Sequence, residues 1–119
     1  MQDVFLISEA PIKWHSLASL IEGADDILYR DDGGIEVYFL GELNVVMPSD
    51  HIIEYYEEEE LNCIYDSIPE PKIYYVGHQS KDSLKRFLES IQPYLLLTIL
   101  VDNDAGTIVP LNDYIESMK

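Results

Sequence analysis

The chain predicts an α+β (mixed α/β) fold: a single domain over residues 1–119, with a mixed five- to six-stranded sheet, a central hairpin and packed helices. Three observations lead there. Short unbroken apolar runs, Val4–Ile7 and Leu95–Val101, have the character of buried strands. Leu61, Ile64, Tyr65 and Ile68, and again Leu84, Phe87, Leu88 and Ile91, recur at the spacing of one helix face. Helical and extended patterns alternate along the chain, which implies some parallel pairing, while paired strands in the middle imply antiparallel pairing. With 119 residues and 47% apolar content, one core can form without metal or disulfide.

In order, Val4–Ile7 opens as a strand. Pro11 suits a first helical turn, Ile12, Trp14, Leu17, Leu20 and Ile21 follow at helical spacing, and Gly23 ends the helix. Ile27–Tyr29 reads as a short strand bounded by aspartates. Ile35–Leu40 is the clearest strand, turning through Gly41-Glu42 into a hairpin partner over Leu43–Met47. Ile52–Tyr56 is either a short strand or a helix entry. A helix then runs from Glu58 to Pro69, and Ile73–Gly77 is a strand. Ser80 caps a helix that reaches about Gln92 before Pro93. Leu95–Val101 is expected to be central and covered on both faces. Asp102–Gly106 is a turn, Thr107–Val109 a return strand and Pro110–Met118 a last helix.

Charge narrows the possible partners. The chain has 23 acidic and 7 basic residues, a net −16, which opposes nucleic acid and anionic membrane and favours a basic protein. No run approaches the roughly 20 apolar residues of a membrane span. The start, Met1-Gln2-Asp3, lacks the basic region of a secretory signal. Cys63 stands alone, so no internal disulfide forms, and a cytoplasmic location is expected.

The acidity is concentrated. Between Ser49 and Pro71 lie eight carboxylates and no Lys or Arg, with four glutamates in a row after two tyrosines. Self-repulsion of this kind does not stabilise a fold. Part of it has a local explanation, because acids in a first helical turn meet the positive end of the helix dipole, and a solvated helix face would account for any single one. Tyrosine beside carboxylate also suits recognition of Lys- and Arg-rich surfaces. Glu54, Tyr55, Tyr56, Glu57, Glu58, Glu59, Glu60 and Asp66 are therefore the expected partner-binding residues. Of the nine tyrosines, Tyr38, Tyr65 and one of Tyr74 and Tyr75 are expected in strands or core.

Catalytic patterns are missing. There is no phosphate-binding glycine loop, GxSxG, HExxH or CxxC. His15, His51 and His78 are scattered; His78, after a strand and before a capped helix, is the best single candidate, although a plain loop residue explains it as well. His15 reads as a half-buried helix residue and Cys63 as a quiet buried thiol. Asp102–Asp113 fails as a calcium loop, with Gly106 and Thr107 at the fifth and sixth positions and Asp113 at the twelfth. No catalytic residue, metal or cofactor is expected, and the chain is not expected to be an enzyme.

Small size, strong acidity and a surface of acids and tyrosines resemble the bacterial immunity proteins that neutralise toxins of the polymorphic, contact-dependent type. The stretch from Lys72-Ile73-Tyr74-Tyr75-Val76 to Leu100–Leu111 is similar to the C-terminal part of one such family. The resemblance implies a cytoplasmic inhibitor that binds a basic toxin domain, a nuclease, and covers its active site. The alternative is a regulatory or scaffold interaction module whose acidity serves only solubility.

Overall fold

The computed structural model describes residues 2–103 and 106–118. Asp104 and Ala105, part of the turn expected at Asp102–Gly106, lie outside the described residues. The elements are β1 (Gln2–Ser8), α1 (Trp14–Ala18), β2 (Asp26–Tyr29), β3 (Ile35–Phe39), β4 (Glu42–Pro48), α2 (Glu58–Ser67), β5 (Lys72–His78), α3 (Lys81–Ile91), β6 (Ile99–Asp102), β7 (Ile108–Pro110) and α4 (Leu111–Ser117). Short 3₁₀ turns occupy Asp50–Tyr55 and Gln92–Tyr94. The alternation of elements is the one expected from the sequence.

Among the described residues, seven strands form one sheet in the order β2-β3-β4-β5-β1-β6-β7, and each pairing is antiparallel. This corrects the expectation of five to six strands with some parallel neighbours. The physical reason lies in β1. Strands β5 and β6, linked by α3, do run in the same direction, as a helical crossover implies. The first strand fills the gap between them, bonding β5 on one side and β6 on the other. The β3–β4 hairpin forms as expected, with Leu40 and Gly41 at φ 56° and 73° in its turn.

Both faces of the sheet are covered. Alternation along β1 sends Val4 and Leu6 to one side and Ile7 to the other. On the first side they join Trp14, Leu84, Phe87, Leu88 and Ile115 from α1, α3 and α4. On the second, Ile7, Ile73 and Leu100 meet Ile64 and Ile68 at α2. Helix α3 matches its expected bounds: the Ser80 side chain accepts the Ser83 N–H at 3.2 Å, a regular N-cap.

Two expected elements are shorter. Helix α1 has five residues; Ile12 precedes it, and Leu20 and Ile21 follow it. The apolar run from Leu95 yields a strand only from Ile99. Leu95 reaches the edge of the main core, but Leu96 is 91% exposed. Strand β6 is interior and covered on both faces, yet lies next to the sheet's end, with β5 at the centre. Leu95 closes the Gln92–Tyr94 turn instead, its N–H donating to the Gln92 carbonyl at 3.2 Å rather than to a strand.

Phe87, fully buried against Trp14 at a ring separation of 6.5 Å, should be indispensable. Phe87→Ala is expected to lower unfolding stability in urea by about 3–5 kcal/mol. Leu96→Ser should change it by less than about 0.5 kcal/mol. In hydrogen exchange the slowest amides should belong to Leu6 and Val76 rather than Leu97.

Candidate functional site

The acidic stretch is anchored from one side. After Pro48 ends β4, the Ser49 N–H donates to the Ile73 carbonyl at 2.8 Å, and Asp50 Oδ1 accepts the Ile73 N–H at 2.8 Å. These bonds pin the Asp50–Tyr55 3₁₀ turn to the start of β5. Ile52, Ile53 and Tyr56 pack toward the second core. Glu54 and Tyr55 face out, and Tyr55 is 77% exposed. The two neighbouring tyrosines therefore diverge. The Tyr56 hydroxyl donates to Asp102 Oδ2 at 2.7 Å, joining this segment to the end of β6.

The four consecutive glutamates divide into two pairs. Glu57 is the N-cap of α2 and forms a reciprocal capping box with Glu60: each side chain accepts the other residue's backbone N–H, that of Glu57 at 3.0 Å. Glu58 and Glu59 lie exposed in the first turn, and Asp66 is exposed two turns on. Of the apolar stripe, Ile64 and Ile68 are buried and Leu61 is half-buried. Tyr65, expected in the core, is exposed, and so is Cys63, expected as a buried thiol. Both corrections follow from a helix that touches the sheet along a narrow line, leaving the rest of its circumference in water.

Among the described residues, no ion pair reaches Glu54, Glu57, Glu58, Glu59, Glu60 or Asp66. The two that form join Arg30 to Asp32 (3.2 Å) and Glu36 (2.9 Å), on the β2–β3 side. Lys81, Lys85 and Arg86 belong to α3, whose core lies on the opposite face of the sheet, and Asp82 and Glu89 are interspersed among them. Among the described residues, no basic side chain neutralises the acidic surface. Beside it opens a cleft of about 320 Å³ between Phe5, Ile52, Tyr55, Tyr56, Glu60 and Asp102. Sequence reasoning placed Asp102 in a turn and missed Phe5. An aspartate closing an apolar strand was the available signal: Asp102 is only 4% exposed.

A second cleft, about 710 Å³, opens at the other end of β1, where Asp3, His78, Lys81, Asp82 and Tyr114 meet. His78 is 3% exposed, and among the described residues its Nδ1 has no hydrogen-bond partner of regular geometry. Burial pushes the imidazole below its ordinary value of 6.5, against the opposing pull of Asp3 and the Val76 carbonyl and with the help of Lys81. On the other face of β5, Tyr75 donates its hydroxyl to Asp3 at 2.7 Å, and burial first, then this carboxylate, raise its phenol to about 12. The cleft does gather His78 with carboxylates. His15, by contrast, is exposed, and its Nε2 lies 3.0 Å from both the Arg30 and Gly34 carbonyls. Both partners only accept, so Nε2 carries the hydrogen and the ring clips the β2–β3 turn. Among the described residues, no three His, Cys, Asp or Glu side chains converge as a metal site, and no helix is long and apolar enough to cross a membrane.

No family model, curated protein or solved structure matches the chain.

The His78 environment makes a pH prediction. A lowered native pKa means the unfolded chain takes up this proton first, so the stabilisation is complete above about 6.5 and is lost as pH falls toward the native value. The imidazole should remain neutral by NMR below 6.5. His78→Gln should remove that part of the stability loss on acidification. Tyr75 acts in the alkaline range. Its stabilising effect is intact below 10, is lost between 10 and about 12, and should disappear in Tyr75→Phe.

Proposed function

We propose that this chain is a binding protein that neutralises a basic toxin domain, a nuclease, by covering its active site, in the manner of an immunity protein. The observation that carries the reading is an exposed Tyr55 ring in a segment whose exposed carboxylates, Glu54, Glu58, Glu59 and Asp66, have no ion-pair partner among the described residues. A nuclease prepares Lys and Arg positions for phosphates, and carboxylates on a rigid face can occupy them. Tyrosine supplies contact area at low entropic cost. Charge of this sign and density also accelerates encounter with a basic partner.

A regulatory or scaffold module would use the same face without inhibiting anything. The two readings part on one measurement, whether the captured basic protein loses nuclease activity when the chain binds it.

Charge and cap can be separated by mutation. Glu57 and Glu60 hold the N-terminus of α2, so the variant that tests the surface replaces Glu54, Glu58 and Glu59 by Gln and Asp66 by Asn. Urea stability should hold or rise slightly as repulsion is relieved. Surface plasmon resonance against the basic protein captured from the source cytosol should show association at low salt slowed by about tenfold, with a weaker salt dependence. Tyr55→Ala should instead speed dissociation by about tenfold or more if the ring is an anchor. Association as fast as wild type in the charge variant would leave the acidic face as a solvated surface and end the proposal.

A further inference from the structure

We propose that the cleft between Tyr56 and Asp102 receives an arginine side chain of the partner. The inference rests on the binding role proposed above and names the chemistry by which that role is exercised. The feature is a cleft with walls and a floor. Phe5, Tyr55 and Tyr56 contribute aromatic surface, Ile52 an apolar edge, and Asp102 and Glu60 two carboxylates. Among the described residues, no basic side chain lines it. Asp102 is almost completely buried and is positioned by the Tyr56 hydroxyl at 2.7 Å. Glu60 is positioned by the Glu57 N–H through one oxygen, Oε1. Both acids are thus held before any ligand arrives, which lowers the ordering cost of binding.

The wall chemistry selects among cations. A guanidinium is planar, weakly hydrated and able to stack on rings while its fork of N–H groups meets carboxylates. A lysine ammonium is a strongly hydrated point charge and gains less from aromatic walls. A calcium ion asks for six to eight oxygens, and the described lining offers two carboxylates beside aromatic rings. An anion would meet two like charges. The cleft lies next to the exposed Tyr55 and the acidic first turn of α2, so an arginine projecting from a basic surface seated there would reach it.

The test uses N-acetyl-arginine amide titrated into the ¹⁵N-labelled full chain, with the citrulline and lysine amides as neutral and ammonium controls. Saturable shifts should centre on the amides of Phe5, Tyr56, Glu60 and Asp102, at an affinity near millimolar. The lysine amide should bind several-fold more weakly, and the citrulline amide should produce no saturation. Glu60→Gln, which retains a side-chain acceptor for the Glu57 N–H, should weaken the arginine amide about fivefold, as expected for a partly solvated ion pair. Tyr55→Ala, at an exposed position, should weaken it without unfolding the chain. Equal binding of arginine and citrulline, or shifts scattered over the acidic surface without saturation, would overturn the proposal. If the arginine amide fails while the Glu54, Glu58, Glu59 and Asp66 variant still slows association, the pocket is lost and the binding role stands. If it binds in the cleft while that variant associates at the wild-type rate, the pocket stands and long-range charge steering is lost.

Discussion

The pairing of β1 between β5 and β6 is the constraint on which the rest of the structure depends. It joins the first strand to residues about seventy and about a hundred positions away, Val4 opposite Val76 and Leu6 opposite Val101. A strand in this position must satisfy both of its edges and both of its faces. Its sequence meets the second requirement by placing Leu6 and Ile7 in two different cores. Both clefts follow from the same placement. At one end of β1, Asp3 meets β5, α3 and α4 around His78; farther along, Phe5 meets Asp102 and the segment before α2.

A run of like charges need not have a single purpose. Four consecutive glutamates look uniform in the sequence, but the helix start assigns them different tasks. Glu57 and Glu60 stand three positions apart, the spacing at which an N-cap and the third helical residue can satisfy each other's backbone N–H. Glu58 and Glu59, between them, point to water. Structural use therefore accounts for half of the run. The remaining half meets the positive end of the helix dipole but, like Glu54 and Asp66, has no ion-pair partner among the described residues.

The elements legible in the sequence were those whose signal is local. Ser80 followed by the stripe Leu84, Phe87, Leu88 and Ile91 specifies a capped amphipathic helix with no reference to the rest of the chain. Gly41 between two apolar strands specifies a hairpin in the same way. What was not legible depended on distant pairing. Nothing in Val4–Ile7 announces that it will separate β5 from β6, so the antiparallel character of the whole sheet stayed hidden. Leu95, Leu96 and Leu97 have the composition of a strand, but no neighbouring strand pairs with them, and composition alone cannot show that. Tyr65 misled for a related reason: helical spacing places it on the apolar side, while the width of the contact with the sheet decides its burial. For the candidate site, the acids and Tyr55 were visible as a stretch. Their companions Phe5 and Asp102 come from the two adjacent strands β1 and β6, and only the fold brings them together.

The hydrogen bond from Tyr56 to Asp102 is where fold and surface meet. A buried carboxylate is costly unless hydrogen-bonded, and this one is held by a ring that belongs to the acidic segment itself. The bond fixes the end of the 3₁₀ turn against β6, immediately before the capping box fixes the start of α2. Between those two fixed points the chain has little freedom. Tyr55 is directed outward because Tyr56 is directed inward, and Glu58 and Glu59 are exposed because Glu57 and Glu60 are engaged with the backbone. A surface that repels itself can still be well ordered when each charged residue in water has a neighbour tied to the fold. Such ordering lets a partner find the charges already in place, so its binding energy is not spent on arranging them.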